Sequence, residues 1–287
     1  MTTQNKNDQW VRAGHQDWCE VRLADNKFAF KLLRPAAQLF DNFQDACDFN
    51  AKLLYQDWGH RPLYLGLTGG MDSECAADTL LRNNIPFTPF ILDLGDLNAY
   101  EVWYAKYWCW KNKVTPLIQQ FTQDQVAGMH QDYKHVITQT TQHGCVVHTY
   151  MFDQVKSMGG HCVLSVGDLY MHDTEKYFYT NIVDYTANVF GNNEHPSAFF
   201  AYTPEIVLSY VSQFDLELDW QYNKCQFYGC VHRPKADYLR PLWYSPRFKA
   251  MMQVTQGLLP KTKPHVFGTK QQTIDFFLGN NDSTITA

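Results

Sequence analysis

Apolar residues recur along this chain with two different periods. In "FDNFQDACDFNAKLLYQDWG", residues 40–59, Phe40, Phe43, Ala46, Phe49 and Leu53 stand three or four apart, which is the spacing of one helical face. Gly59 follows as a stop. The next stretch, "PLYLGLTGGMDSECAADTLLRNNIPFTPFILDL", begins with the unbroken apolar run "LYLGL" and then turns through two adjacent glycines. After the turn, Ala76, Ala77, Leu80 and Leu81 share a helical face, and Pro86 ends that helix by biasing Ile85 away from it. "FTPFILDL" reads as a second strand with Pro89 near its start, and "NAYEVWYAKYWCWKN" as another helix. Continuous apolar runs, rather than alternating ones, mark strands buried on both faces. Strand, turn, helix, strand, helix predicts an α/β fold: an open parallel sheet with right-handed crossovers and helices on both faces.

The flanks read differently. "WCEVRLADNKFAFKLL" predicts a β-hairpin turning at "ADNK". "HTYMFDQVKSMGG" predicts a helix, and "HCVLSVGDLYMHD" a buried strand ending in Gly167 and Asp168. "AYTPEIVLSYVSQF" predicts a helix with Thr203 as cap, Pro204 at the first position and Glu205 behind it. These signals divide the chain into an N-terminal tail and hairpin (1–39), a parallel α/β domain (40–215) and a mixed C-terminal extension closing the site (216–287). The first ten or so residues and the closing "GNNDSTITA" read as frayed tails.

Composition narrows the function. The 287 residues are 45% hydrophobic and 18% charged, enough for one large domain with a sizeable core. The net charge of −5 and the lack of a Lys/Arg block disfavour a nucleic-acid partner. No apolar run approaches the roughly 20 residues that cross a bilayer, and "MTTQNKNDQW" lacks an apolar signal core, so a cytoplasmic protein is expected. Eight cysteines scattered through apolar surroundings suit reduced core thiols. Cys225 and Cys230, with His232 nearby, have an allowed zinc spacing, and Cys145-x-x-His148 is a conceivable second pair; buried thiols are the other reading.

The candidate chemistry lies in the first turn. A strand end running straight into a helix presents unpaired N–H groups and the positive end of a helix dipole, which together attract anions. Gly69 and Gly70 let a phosphate approach the backbone, and Thr68 and Ser73 add hydroxyl donors. Asp72 would repel a phosphate unless it holds Mg²⁺; otherwise Asp72 or Ser73 simply caps the helix. The metal reading expects Asp72→Asn to abolish turnover and leave the fold intact.

"LTGGMDS" resembles the SGGxDS loop of the N-type ATP pyrophosphatases, the PP-loop superfamily that includes asparagine synthetases, GMP synthetases, tRNA thiolation and lysidine enzymes and sulfonucleotide reductases. Thr68 stands where that pattern begins with serine. The resemblance implies that Leu67, Thr68, Gly69, Gly70, Asp72 and Ser73 bind ATP, that Asp93 ends the strand beside the adenine and ribose, and that ATP is cut between its α and β phosphates. "VLSVGD" looks like a later element of the asparagine synthetase pattern, implying Gly167 in the nucleotide site and Asp168 beside Asp72 on Mg²⁺, although Leu169 replaces a further acid. The two carboxylates are then expected to lie within about 12 Å of each other.

"HPSAFFAYTPEIV" and "HRPKADYLRPLW" resemble later segments of the same pattern. They imply Lys235 as the cation that neutralises departing pyrophosphate, assisted by Arg233, with Arg247 and Lys249 as competitors. No cysteine follows Met1 to serve a glutaminase half, so a free amine or an amine-donor partner is expected. The expected enzyme adenylates a small-molecule carboxylate or amide and transfers it to an amine; a homo-oligomer is a further expectation. A sulfonucleotide-reductase-like or thiolating enzyme, requiring an exposed low-pKa cysteine among Cys225, Cys230 and Cys109, and a non-catalytic nucleotide-binding module are the alternatives.

Overall fold

The structure, a computed structural model, describes residues 10–24, 27–133, 144–167, 169–172, 177–180, 194–215, 217–218, 220–228, 267–280 and 284–286. Strands β1 (Val11–Ala13), β2 (Cys19–Ala24) and β3 (Lys27–Leu32) lead into helix α1 (Phe43–Trp58). Then come β4 (Leu63–Gly66), α2 (Met71–Arg82), β5 (Thr88–Asp93), α3 (Ala99–Asn112) and β6 (Leu117–Gln120). Helices α4 (Gln123–Asp132) and α5 (Gly144–Ser157) precede β7 (His161–Leu164). The chain continues through β8 (Leu169–His172), β9 (Tyr177–Thr180), β10 (Ser197–Ala198), α6 (Pro204–Gln213), α7 (Trp220–Tyr228), α8 (Lys270–Phe277) and β11 (Thr284–Thr286).

The central sheet is five-stranded and parallel, in the order β10–β7–β4–β5–β6. Its inner strands are the apolar runs of the sequence: all four residues of β7 and the middle four of β5 are buried. The edge strand β6 alternates half-buried and exposed positions, as an edge should. Pro89 is the second residue of β5, opposite Leu65. The chain steps outward from β4 to β5 to β6 and then returns to place β7 on the other side of β4. The crossover direction therefore reverses between β4 and β7, and the crevice outside their carboxyl ends is where such sheets bind ligands.

A second, antiparallel sheet runs β1–β2–β3–β11. The expected hairpin is its centre, with Cys19 to Ala24 paired against Leu32 to Lys27. The closing stretch is not all frayed: Thr284, Ile285 and Thr286 pair with Lys31, Phe30 and Ala29, so β11 joins β1, β2 and β3 in one sheet. Phe30 joins this sheet to α8 through ring contacts with Phe276 and Phe277, at centroid distances of 5.9 and 6.2 Å.

Two helical faces differ from their expected ones. In α1 the buried residues are Phe43, Ala46, Cys47, Asn50, Ala51 and Leu54, one step around from the expected stripe. Asn50 can be buried because its amide donates to the Phe199 carbonyl (2.9 Å) and its oxygen accepts from Thr203 Oγ1 (3.1 Å). In α2, Leu81 is 37% exposed, whereas Thr79 is buried with its hydroxyl bonded to the Cys75 carbonyl.

Candidate functional site

The turn between β4 and α2 is built by its own residues. Leu67 donates its N–H to the Phe90 carbonyl (3.0 Å), which keeps the chain against β5 for one more residue. Gly69 then adopts φ +83°, and a Cβ there would stand 2.1 Å from the backbone oxygen of Glu101 at the start of α3. Conformation and close approach both demand glycine. Gly70 caps α2 in an extended conformation with no side-chain bond, leaving the first-turn N–H groups directed at the crevice.

The hydroxyls of Thr68 and Ser73 hold the turn's shape. Ser73 Oγ donates to the Gly70 carbonyl (3.0 Å) and accepts from the Thr68 N–H (3.2 Å), while the Gly70 N–H donates to Thr68 Oγ1 (3.2 Å). Ser73 is buried in this network, but Thr68 is exposed and faces outward.

Asp72 is the second residue of α2 and not its cap. Its Oδ1 accepts from Lys224 Nζ (2.7 Å) and from the Tyr228 hydroxyl (2.8 Å), both on α7. Lys224 is 0% exposed, whereas the Asp72 side chain is 32% exposed. A fully buried lysine needs a counter-charge, and Asp72 supplies it from the mouth of the site. Sequence reasoning missed both Lys224 and Tyr228. The available signal was a lone cation inside the uncharged stretch "WQYNKCQFY"; its partner lies 152 residues away.

The other nominated residues divide in two. Asp93 sits at the carboxyl end of β5. Burial alone would raise its pKa, but bonds from Lys106 Nζ (3.0 Å) and the Gly95 N–H (3.2 Å) hold it below the usual carboxylate range. Gly167 follows β7 at φ +101°, where a Cβ would meet Ala201 Cβ at 2.6 Å. β7 is hydrogen-bonded to β4 with Val163 opposite Leu65, so the turns after the two strands leave the same edge of the sheet. Ser165 Oγ, between β7 and Gly167, is buried and has no hydrogen-bond partner among the described residues. Asp168, Arg233, Lys235, Arg247 and Lys249 lie outside the described residues, and so does the Asp72–Asp168 separation.

Mg²⁺ fits this donor set at one point. Asp72 Oδ1 is taken by Lys224 and Tyr228, but Oδ2 has no hydrogen bond among the described residues and lies on the partly exposed side chain. One carboxylate oxygen plus substrate phosphates is a common way to hold Mg²⁺. Among the described residues no group of three His, Cys, Asp or Glu is placed to hold a metal by itself.

The cysteines do not form a reactive site among the described residues. Cys109 is buried, and burial pushes its thiol up to about 11. The Cys75 thiol is raised by the hydrogen bond it donates to Cys47 and by burial. Cys225 is half-buried, with its sulfur 3.3 Å from Met71 Sδ. Cys230 and His232 lie outside the described residues, and His148, the candidate partner of Cys145, is half-buried with its pKa lowered to about 4 by desolvation of the ring. No described helix is long and apolar enough to cross a membrane.

No protein-family model matches the sequence, and no curated protein matches it. Solved structures similar to the chain include an NH3-dependent NAD synthetase from Campylobacter jejuni, at 13% identity and a TM-score of 0.37 over 83% of this chain and 92% of that one. An NAD+ synthetase from Burkholderia pseudomallei matches at 12% and 0.34 over 84% and 82%. An NMN synthetase from Francisella tularensis matches at 12% and 0.34 over 43% and 54%, so the chain spans about half the length of that protein. Similarity at this level assigns the chain to no family.

Proposed function

We propose that this chain binds ATP at the turn from Leu67 to Ser73, cleaves it between the α and β phosphates, and transfers the adenylyl group to a small-molecule carboxylate or amide. The observation that supports this most is the turn itself. A left-handed glycine pressed against Glu101 and a helix cap without a side chain stand at the point where the sheet's crossover direction reverses. The substrate oxygen attacks the α-phosphorus and pyrophosphate leaves. An amine then attacks the activated carbon and AMP leaves, as the resemblance to asparagine synthetases implies.

In this reading the first-turn N–H groups of α2 and the Thr68 hydroxyl hold the β,γ-phosphates. Asp72 and Asp168 are the residues that would hold Mg²⁺, which would supply positive charge against the phosphates. Lys224 holds the Asp72 carboxylate in place through its 2.7 Å bond to Oδ1. Asp93 and the Lys106 that fixes it shape the end of β5 for the adenosine, and Gly167 lines the neighbouring turn. Arg233 and Lys235 close the site over the leaving pyrophosphate. Of the three cysteines the thiolating alternative could use, Cys109 is the one disfavoured, being buried with a raised pKa.

The test is product analysis with radiolabelled ATP and a panel of carboxylates plus ammonia. AMP and pyrophosphate are expected in equal amounts. ADP with orthophosphate, or tight binding without turnover for any acceptor, overturns the proposal.

A further inference from the structure

Helix α3 buries one face and leaves the other bare. Val102, Ala105, Trp108 and Cys109 are buried, and Trp108 Nε1 donates to Asp78 of α2 at 2.8 Å. On the opposite face Tyr100 is 49% exposed, Trp103 58%, Tyr107 39% and Trp110 75%. Trp103 and Tyr107 lie parallel, with centroids 5.5 Å apart and planes 5° apart, and Tyr107 continues to Trp110 at 5.8 Å. Tyr100 joins Trp103 through the half-buried Tyr104, at 5.5 and 4.9 Å, so the exposed rings form one patch about 15 Å long at 1.5 Å of rise per residue. Isolated exposed aromatics need no explanation, but a contiguous patch marks an interaction surface.

We propose that this face is the contact between two copies of the chain, packed with their α3 helices antiparallel about a two-fold axis at position 105. The spacing carries the proposal. Positions 100 and 110 are equidistant from 105, and so are 103 and 107, so the spacing of the four exposed rings reads the same in both directions; the half-buried Tyr104 has Lys106 as its mirror position. An antiparallel copy therefore sets Tyr100 against Trp110 and Trp103 against Tyr107 at every level, the self-complementarity that an isologous contact requires. At roughly 200 Å² for each large ring, the exposed fractions offer about 450 Å² per copy, or about 900 Å² in the pair. That lies near the floor of about 1,000 Å² for a specific interface and suits a weak, reversible contact.

A single-stranded nucleic acid also stacks on exposed aromatics, but it needs several cations along its backbone. Along α3 the exposed cations are Lys111 and, at the helix end, Lys113, while Lys106 is paired with Asp93, all in a chain of net charge −5. A second copy is the occupant that fits.

Sedimentation velocity on the full chain tests this. The wild type is expected to be a dimer at about 100 µM and to dissociate on dilution. Trp103→Glu with Tyr107→Glu sets like charges across the axis at both levels, and is expected to be folded by circular dichroism and monomeric. Trp103→Glu with Tyr107→Lys sets opposite charges there, and is expected to associate at least about ten-fold more tightly than the double glutamate. A wild type that stays monomeric at that concentration, with or without affinity for an oligonucleotide, overturns the proposal. So does a double glutamate that remains dimeric, or equal association by the two variants.

Discussion

Two turns leave the same edge of the parallel sheet from adjacent strands, and both use a glycine with positive φ. After β4, Gly69 at φ +83° is held against the backbone of Glu101, and the chain runs into the N-terminus of α2. After β7, Gly167 at φ +101° packs on Ala201, and the chain runs into the hairpin strand β8 rather than a helix. A helix start concentrates unpaired N–H groups and positive potential; a hairpin start does not. Glycine alone therefore does not make an anion site. The element that follows it decides.

The largest expected effect separates the two glycines. Gly69→Ala meets a carbonyl oxygen at 2.1 Å that belongs to a packed helix and cannot step aside. It is expected to lower adenylation by at least about 100-fold, since even a 1 Å displacement of bound groups is that costly. Gly167→Ala meets the Ala201 side chain and is expected to cost about 1–3 kcal/mol of stability from strain and crowding, read by urea unfolding. Its effect on the dissociation constant for ATP, measured calorimetrically on the folded variant, should be at least ten-fold smaller than that of Gly69→Ala. Equal losses at both glycines would place the phosphates between the two turns and break the contrast.

The next effect concerns the ion pair behind the first turn. The sequence-level expectation was that Asp72→Asn would abolish turnover and spare the fold. Because Lys224 is fully buried, that substitution takes the Asp72 counter-charge from an ammonium held away from water, and a loss of about 3 kcal/mol is expected. Lys224→Met leaves behind a carboxylate that is 32% exposed and can be hydrated, so its stability is expected to fall by only about 1 kcal/mol while turnover falls by at least about ten-fold. Unfolding midpoints and pyrophosphate release on both variants check the asymmetry. If the methionine variant proves the less stable of the two, the burial argument fails.

The smallest effect tests the strand behind the second turn. His161 opens β7, stacked on Trp58 at 3.8 Å and bonded through Nε2 to Ser197 Oγ at 2.8 Å. Burial, aided by the nearby charges of His195, Arg61 and His60, holds its pKa down to about 3. The unfolded chain protonates this group near 6.5, so below that pH the unfolded state binds more protons and stability falls on acidification. The contribution is fully present above about pH 6.5 and declines by up to about 1.4 kcal/mol per pH unit toward pH 3. His161→Phe keeps a ring against Trp58 and is expected to flatten urea stability between pH 7 and 5.5. An unchanged slope would mean that another group, with His148 the first candidate at about 4, carries the acid sensitivity.

Much of this molecule was legible because its signals are local. The strand–turn–helix around Gly69, the hairpin of β2 and β3, and the start of α6 with Thr203 Oγ1 accepting from the Ile206 N–H each lie within a few residues of chain. Backbone sterics and capping act over that range, so residue types alone carry them. The face of α1 was misjudged because aromatic spacing favoured Phe49 over Asn50, and only the Phe199 carbonyl and Thr203 make Asn50 a core residue.

By itself, then, the sequence determined the α/β class, the position of the phosphate-like turn and the need for glycine in it. Tertiary structure alone decided what surrounds that turn. It set the strand order that places β7 beside β4, the approach of Glu101 to Gly69, and the reach of Lys224 and Tyr228 to Asp72. It also paired the buried Glu205 with Arg34 across 171 residues and closed the last strand onto β3. The physical reason is one of range. A turn's conformation is set by the steric limits of the residues in it, whereas a buried charge is stable only where folding delivers its partner, and no pattern along the chain records which distant residue that will be.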